Sequence, residues 1–299
     1  MSTVLDLQKK YYQKIDQLDI DLILENVLKK PREFILTHGE KKLTAGQISN
    51  FKFKISCRLK GRPLAYITGQ KEFYGLNFKV NKNVLIPRPE TELMVEEALK
   101  LIASNSRPAT IIDIGTGSGC IIIALAKQII NCKLLAADIS AKALAVAKQN
   151  AKLHGVAKNI KFLHGNLLSP VIHNSLFLIP NSSLIITANL PYGWKEWKNN
   201  SSADTIGLKF EPPIALYTGK NGLELYEKLF QQIKNYLTHN TKCQIPNTLY
   251  ILCEIDPRQT AKIKRLIKRQ LPKTMLQIKK DLSGLNRLAI IAMEQRQQY

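Results

Sequence analysis

The first sixty residues show the spacing of packed helices. Apolar side chains return every three or four positions from residue 1 to about residue 60. Pro31 interrupts this pattern, and Thr44 followed three residues later by Gln47 is typical of a capped helix start. The pattern therefore predicts a small helical bundle, which we assign to residues 1–62.

Residues 63–89 have a different character. They combine aromatic and β-branched residues in short alternating runs around an Asn81–Asn83 turn, with Pro87 and Pro89 near the end. We expect a β-hairpin that links the helical bundle to the rest of the chain.

Residues 90–299 alternate apolar strand candidates with helix candidates. The predicted strands are TIIDI, KLLAAD, IKFLHG, LIITAN, LYILCEI, MLQIKK and RLAIIAM. Alternation of this kind predicts an α/β fold with a mainly parallel, doubly wound sheet of seven strands. In such folds ligands bind beyond the carboxyl ends of the strands, so the residues at the strand ends carry the functional information.

Composition limits the class of protein. The formal charge of +21 favours a partner rich in phosphate or carboxylate, although the basic residues are dispersed and a solvated basic surface explains them equally well. The five cysteines form no C-x-x-C pair and the histidines have no metal spacing, so we expect reduced thiols and no metal. No apolar run approaches the roughly 18 residues of a membrane helix, and we expect a soluble cytoplasmic protein without membrane partners.

A glycine loop follows the first strand of the predicted sheet. Such a turn lets a ligand approach the backbone and the N–H groups of the next helix. A dinucleotide fingerprint would need G-x-G-x-x-G, but Gly119 comes one residue early and Cys120 follows it. The spacing favours S-adenosylmethionine over NAD, and a simple tight turn is the alternative. The loop residues expected at the cofactor are Asp113, Gly115, Thr116, Gly117 and Gly119.

The next two strand ends supply further candidates for cofactor binding. Asp138 ends the second strand, where a carboxylate accepts hydrogen bonds from both ribose hydroxyls or, alternatively, caps the helix that starts near Ser140. Asn166 follows the third strand and is either an acceptor for an adenine amino group or an ordinary turn residue. Ile139 and Leu167 are placed to sandwich the ring.

The fourth strand ends in Asn189-Leu190-Pro191-Tyr192 instead of a glycine turn. Asn189 contributes an amide oxygen, and Pro191 holds Leu190 extended, so that the Leu190 carbonyl can point outward. Two converging acceptors can grip the two hydrogens of a planar NH₂ group while Tyr192 provides a flat surface for it. This arrangement predicts methyl transfer to an amide or aromatic amine by positioning and preorganised dipoles.

Several stretches match one family motif by motif. They are RPLAYITGQKEFYG, VLIPRPETE, IIDIGTGSG, NLPY, FEPPIALYTGKNGLELY, LCEI and DLSGLNRLAII. Along nearly its whole length the chain resembles the PrmC/HemK family of peptide chain release factor glutamine methyltransferases. The resemblance implies a helical N-terminal domain, a hairpin and a class I methyltransferase domain. It also implies methyl transfer from S-adenosylmethionine to the glutamine side-chain nitrogen in the Gly-Gly-Gln motif of release factors.

The resemblance also implies roles for individual residues. Asn189 and the Leu190 carbonyl would hold the glutamine amide, with Tyr192 against it and Pro191 fixing the turn. The residues implied to hold the cofactor are Gly115, Gly117, Asp138 and Asn166. Those implied to lie near the substrate or to brace the loop over it are Arg88, Thr91 and Glu211.

Three positions depart from the family pattern. Leu190 replaces the first proline of Asn-Pro-Pro-Tyr, which keeps the carbonyl but leaves a less rigid turn. Asn166 stands where the family commonly has an acid. Residues 193–205 diverge most, and we interpret them as a lid that admits the substrate loop.

Three other functions remain open from the sequence. One is a ribosomal-protein glutamine methyltransferase. A second is a nucleic-acid amino-methyltransferase acting on adenine N6, although no separate recognition region with clustered basic and aromatic residues is present. The third is a non-catalytic, ribosome-associated binding module, against which the complete cofactor residues and Asn189 argue. We expect a monomer whose partner is a release factor, with direct nucleic-acid binding not its main function.

Overall fold

The structure is a computed structural model that describes most of the chain. The described residues are 2–104, 108–173, 182–194, 205–219, 221–239 and 248–294. Cys243 and most of the divergent stretch at 193–205, interpreted above as a lid, lie outside the described residues.

Five helices form the N-terminal region. They span Val4–Tyr11, Gln17–Leu28, Arg32–Thr37, Ala45–Leu59 and Leu64–Thr68. The predicted cap is present, because the Thr44 side chain accepts from the Gln47 N–H while the Gln47 side chain accepts from the Thr44 N–H. Pro31 precedes the third helix and separates it from the second. Apolar side chains such as Ile23 and Phe51 are fully buried and give this region a core of its own.

A two-stranded antiparallel hairpin follows, with β1 at Gln70–Phe73 and β2 at Leu76–Lys79. Its turn is at Tyr74–Gly75, where both residues have positive φ, and not at the predicted Asn81–Asn83. A two-residue turn of this kind matches the twist of the strands, which the sequence pattern alone did not reveal. Asn81 does make a turn, but after β2, where the Val84 N–H donates to its carbonyl.

The hairpin is fastened to the large domain by a buried asparagine. Asn150 accepts from the Lys79 N–H at 2.8 Å and donates to the carbonyls of Lys79 and Ser118. Ser118 belongs to the glycine loop, so one side chain connects the hairpin to that loop. The predicted domain boundaries, 1–62, 63–89 and 90–299, stay a prediction.

The large domain contains a second sheet of seven strands. Their bounds are β3 Ala109–Ile114, β4 Lys133–Asp138, β5 Ile160–His164, β6 Ser183–Ala188, β7 Thr248–Glu254, β8 Met275–Lys280 and β9 Asn286–Glu294. Their order is β5-β4-β3-β6-β7-β9-β8, with β9 antiparallel to both of its neighbours and the other pairs parallel. The predicted seven-stranded, mainly parallel sheet is confirmed.

Helices cover both faces of this sheet. The longer ones span Glu92–Ala103, Cys120–Gln128, Ala141–Leu153, Glu224–His239 and Thr260–Gln270, and shorter ones span Pro89–Thr91, Ser169–Ile172, Thr205–Leu208, Pro213–Leu216 and Pro257–Gln259. Successive residues of the central strand β3 face opposite layers. Ile111 belongs to the same buried cluster as Ile122, and Ile112 belongs to the cluster that contains Phe230. This burial on both faces explains the continuous apolar strands of the sequence.

The described residues contain neither a membrane-spanning helix nor a cluster of metal-ligating side chains. None of their helices is both long enough and apolar enough to cross a membrane. No group of three or more His, Cys, Asp or Glu side chains in the same residues is arranged to hold a metal ion.

Candidate active site

The glycine loop after β3 crosses the carboxyl end of the sheet. The N–H groups of Gly115 and Thr116 donate to the Ala137 carbonyl of β4 at 2.8 and 3.1 Å, which holds the loop against the next strand. Gly117 has φ +55 and its N–H donates to the Asp138 carboxylate at 2.9 Å. This left-handed backbone favours glycine.

Asp113 and Gly119 lie behind this loop and do not line the cavity in front of it. Asp113 is buried, and its two oxygens accept from the hydroxyls of Thr116 at 2.6 Å and Thr187 at 2.8 Å. Burial raises the pKa of Asp113 to about 6. A Cβ on Gly119 would lie 2.9 Å from Ile123, so this glycine lets the following helix pack closely.

Asp138 lies at the end of β4 beside the loop. Besides the Gly117 N–H, its carboxylate accepts from the Ser140 N–H at 2.8 Å. Ser140 itself caps the helix Ala141–Leu153 by accepting from the Ala143 N–H. Burial raises the pKa of Asp138, while the two backbone donors oppose that shift. Because each oxygen has a second lone pair, Asp138 can still accept from a ligand.

A first cavity of about 1070 Å³, open to solvent, lies in front of this edge. Its lining includes the predicted residues Arg88, Gly115, Thr116, Gly117, Asp138, Ile139, Asn166, Leu167, Asn189, Leu190 and Pro191. Leu167 has φ +50, a conformation that is unusual for a branched side chain. Gln232 supports this turn, because its side chain accepts from the Leu168 N–H at 2.9 Å.

The end of β6 turns outward because its backbone is held by side chains. The Leu190 N–H donates to the Tyr226 hydroxyl at 3.3 Å, and that hydroxyl donates to the Glu254 carbonyl at 2.5 Å. Beyond Pro191, the Tyr192 carbonyl accepts from the Gln259 side chain at 3.0 Å. Within the described residues, no donor bonds the Leu190 carbonyl.

Asn189 belongs to a network of hydrogen-bonded polar side chains. Its Nδ2 donates to the Thr91 hydroxyl at 3.1 Å, and Thr91 donates to the Glu254 carboxylate at 2.7 Å. The Tyr192 hydroxyl donates to the other oxygen of Glu254 at 3.2 Å. Burial raises the pKa of Glu254, while the Thr91 hydrogen bond and the Arg287 charge oppose that shift.

A second cavity adjoins the first one. It is open, measures about 1490 Å³, and shares Arg88, Asn189 and Leu190 with the first. Glu211 lines it and is buried, accepting from the Arg88 guanidinium and from the Ile86 N–H at 3.0 Å. This carboxylate therefore ties the segment after the hairpin to the loop that precedes the helix Pro213–Leu216.

Comparison with known proteins identifies the family. A family model described as PrmC N-terminal domain matches residues 5–69, and one described as Methyltransferase domain matches residues 105–247. A release factor glutamine methyltransferase of Enterococcus faecalis is 37% identical over 85% of this chain and 84% of its own. One of Coxiella burnetii is 35% identical over 93% and 92%. The chain belongs to the release factor glutamine methyltransferase family.

A solved structure shares the fold of this methyltransferase. The hMettl16 catalytic domain in complex with MAT2A 3′UTR hairpin 1 superimposes with a TM-score of 0.54, covering 86% of this chain and 83% of that chain. At 16% sequence identity the likeness concerns the fold alone.

The first cavity of this methyltransferase fits S-adenosylmethionine, its methyl donor. A Cβ added at Gly117 would meet, among the described residues, one atom at 3.9 Å, so the loop leaves room for a ligand against its backbone. Asp138 supplies carboxylate oxygens, and Ile139 and Leu167 supply apolar walls.

Sequence reasoning did not assign functional roles to Glu254, Tyr226 and Gln259. Glu254 stands in the LCEI stretch that carried the family resemblance, at the carboxyl end of a buried strand. An acidic residue in that position was a signal that could have been used. Tyr226 likewise ends the FEPPIALYTGKNGLELY stretch, but its backbone partners lie far away in the sequence and nothing local indicates them. Gln259 lies in none of the matching stretches and carries no such signal.

Proposed function

We propose that this methyltransferase transfers the methyl group of S-adenosylmethionine to the side-chain amide nitrogen of the glutamine in the Gly-Gly-Gln motif of peptide chain release factors. One observation carries the proposal. Asn189 and Leu190 line both cavities, so an amide held by them from the second cavity would face the first. The names of the relatives support the choice of substrate.

In this proposal the first cavity holds the cofactor. Asp138 accepts from the ribose hydroxyls, Asn166 accepts from the adenine amino group, and Ile139 and Leu167 contact the ring from its two sides. Gly115, Thr116 and Gly117 form the backbone surface under the cofactor. Asp113 and Gly119 act indirectly, by holding the loop and the helix behind it.

The substrate amide binds between the two acceptors. Asn189 Oδ1 and the Leu190 carbonyl each accept one of its N–H groups, while Tyr192 supports its plane. Pro191 holds the turn, and Arg88 and Glu211 brace the entrance from the second cavity.

The reactivity of the nitrogen follows from this grip. In a free carboxamide the nitrogen lone pair is delocalised in the amide plane, which makes the nitrogen a poor nucleophile. Acceptors placed off that plane favour a pyramidal nitrogen whose lone pair is turned toward the first cavity. S-adenosylmethionine, when bound there, supplies an electrophilic methyl group on a sulfonium. The protein itself contributes orientation and fixed dipoles. Orientation can lower the activation barrier by at most about 7–11 kcal/mol.

The proposal also includes the setting in which the enzyme works. We assign it to the cytoplasm as a monomer that binds release factor protein, with the helical N-terminal domain contacting that substrate. Direct binding of nucleic acid and of membranes has no part in it.

A labelling experiment tests the function. The enzyme is incubated with methyl-labelled S-adenosylmethionine and, separately, with a release factor, its variant with alanine in place of the loop glutamine, a ribosomal-protein mixture and nucleic acid. We expect label on the unmodified release factor alone. Label on the alanine variant would contradict the assigned glutamine, and label only on ribosomal protein or nucleic acid would replace the proposed substrate.

A further inference from the structure

The side-chain amide of Asn189 has two ends of similar size and opposite hydrogen-bonding character. Its oxygen accepts hydrogen bonds, and its nitrogen donates them. A substrate NH₂ group needs the oxygen, because the reversed orientation would place two donors against each other. The protein must therefore select between two orientations that differ by half a turn.

The selecting groups are buried beside Asn189. Glu254 is 2% exposed and so is Thr91. One oxygen of Glu254 lies 2.7 Å from the Thr91 hydroxyl, and that hydroxyl lies 3.1 Å from Asn189 Nδ2. The backbone of Glu254 is held in place, since its carbonyl accepts from the buried Tyr226 hydroxyl.

The direction of the hydrogen bonds from Asn189 through Thr91 to Glu254 follows from the chemistry of these three side chains. The Arg287 charge and the hydroxyl donors of Thr91 and Tyr192 favour the ionised form of Glu254. An ionised carboxylate only accepts, so Thr91 gives its single hydroxyl proton to Glu254. The Thr91 oxygen then has only lone pairs left for Asn189. An Asn189 nitrogen facing Thr91 makes a hydrogen bond, whereas an oxygen in that place would leave two acceptors in contact.

We infer that Glu254 and Thr91 are positioning residues that turn the Asn189 carboxamide so that its oxygen faces the substrate. Which substrate group donates to this oxygen rests on the proposed function, but the orientation of the Asn189 carboxamide does not. The second oxygen of Glu254 accepts from the Tyr192 hydroxyl, so one carboxylate orders both polar side chains of the Asn-Leu-Pro-Tyr segment, and both of these residues line the second cavity.

Substitutions of Thr91 test the role in solution. Thr91→Val removes the hydroxyl and should lower kcat/KM for the release factor about 10- to 100-fold, while Thr91→Ser should restore it to near the native value. Calorimetric titration with S-adenosylmethionine should still show one site per chain with unchanged affinity. A merely structural role would instead reduce the number of cofactor-binding sites. Native kcat/KM in Thr91→Val, or no recovery in Thr91→Ser, would overturn the inference.

The chain provides a matched control elsewhere. Thr260 donates to the Pro257 carbonyl at 2.6 Å and accepts from Asn286 Nδ2 at 3.2 Å. Its hydroxyl, like that of Thr91, therefore accepts from an asparagine and donates to an oxygen, which here belongs to a backbone carbonyl. Neither Thr260 nor Asn286 lines the two cavities. Thr260→Val should therefore leave kcat/KM for the release factor unchanged. An equal loss in Thr260→Val would show that the Thr91 effect is general and not specific to Asn189.

Neutron diffraction from deuterium-exchanged crystals of the unsubstituted enzyme tests the orientation directly. We expect deuterium on the Asn189 nitrogen that faces Thr91 and on the Thr91 oxygen toward Glu254. Deuterium on Thr91 directed at Asn189 would overturn the inference whatever the substrate. If instead the orientation is as expected and the release factor is not methylated, the proposed function fails and the inference on orientation stands.

Discussion

At the scale of single residues, the site depends on two oxygens from adjacent positions of the chain. Asn189 contributes a side-chain acceptor and Leu190 a backbone acceptor, and both line the two cavities. Leu190 stands where the family resemblance implies a proline, and its carbonyl is present with either residue. The Leu190 N–H makes a bond to the Tyr226 hydroxyl that proline could not make, and this bond holds the turn. The leucine side chain is itself buried and lies against Gly115.

Replacing Asn189 with alanine should affect turnover far more than cofactor binding. Loss of one preorganised polar group at a reacting centre costs about 10²- to 10³-fold in kcat, whereas the groups assigned to the cofactor remain. Turnover assays and calorimetry with S-adenosylmethionine measure the two effects. Asn235→Ala, on the exposed face of the helix Glu224–His239, serves as the control. Equal losses of affinity and rate would show that the role of Asn189 is misassigned.

Replacing Asp113 with asparagine should change how stability depends on pH. The pKa of Asp113 rises from 3.8 to about 6 on folding, mainly through burial. Between these values the folded state keeps a proton that the unfolded state has released. The contribution of this carboxyl to the free energy of unfolding therefore falls as pH rises, by about 3 kcal/mol in total.

Urea unfolding of both proteins from about pH 4 to about pH 7 measures this effect. The stability of Asp113→Asn relative to the unsubstituted chain should rise across this range, since the variant lacks the titrating group. Asp281→Asn is the control. Burial would raise the pKa of Asp281, but the hydrogen bonds from the Leu285 N–H and from Arg287 outweigh it and lower the pKa below 3.8. The pH range in which Asp281 changes the stability therefore lies below pH 3.8. A constant stability difference for Asp113→Asn would contradict the buried, proton-binding carboxyl.

At the scale of elements, the ends of four parallel strands are aligned by the sheet and joined by side chains. β3, β4 and β6 end within one residue of each other in register, so the loops that follow meet at one edge. Tyr226, from the helix Glu224–His239, joins β6 and β7 by bonds to Leu190 and Glu254. The site is thus built on rigid strand ends, which is what catalysis by orientation requires.

Replacing Gly119 with alanine should disturb the packing of the helix that follows the glycine loop. The new Cβ would lie 2.9 Å from Ile123 Cδ1 and 3.2 Å from Ala147 Cβ. Gly155→Ala is the matched control, since Gly155 has a similar φ of +73 but, among the described residues, no atom within 4 Å of an added Cβ. Gly119→Ala should lose about 1–3 kcal/mol more in urea unfolding than Gly155→Ala. Equal losses would mean that backbone strain alone requires glycine at position 119.

At the scale of the whole molecule, a net charge of +21 contrasts with the mixed charge that lines the second cavity. The helix Thr260–Gln270 buries Ile263, Leu266 and Ile267 and exposes basic side chains. They include Lys262, Lys264, Arg265 and Lys268. By contrast, the second cavity contains both carboxylates and guanidinium groups, among them Glu90, Glu211 and Arg258. We predict that the excess positive charge acts on the partner at a distance, before the substrate loop enters the site.

Methylation of a release factor should slow when salt screens this charge. With substrate below KM, the rate should fall steadily as KCl is raised from about 50 mM to about 500 mM, because the screening length shortens over that range. Steady-state assays at each concentration measure kcat/KM, and sucrose at matched osmolality controls for solvent effects. Rates that do not change with salt would show that the surface charge has no part in the encounter.

The sequence by itself determined the elements and the chemistry at their ends. Short-range periodicity is sufficient to mark the helices and strands, and residues such as Gly117, Asp138 and Asn189 stand next to strand ends in the chain itself. The fold class followed from these local patterns, and the family followed from the resemblance of the matching stretches. The hairpin turn was misplaced, because Tyr74-Gly75 has weak local turn signals and is stabilised by strand pairing.

Only the tertiary structure decided which groups surround each functional residue. Asn189 and Thr91 are 98 positions apart and Thr91 and Glu254 are 163 apart, so no local pattern relates them. The glycine loop has one side that faces the cavity and one that faces the core, and Asp113 lies on the core side. This division likewise appears only in the tertiary structure. Hydrogen-bond partners depend on the packing of distant segments, and that packing is a property of the whole fold.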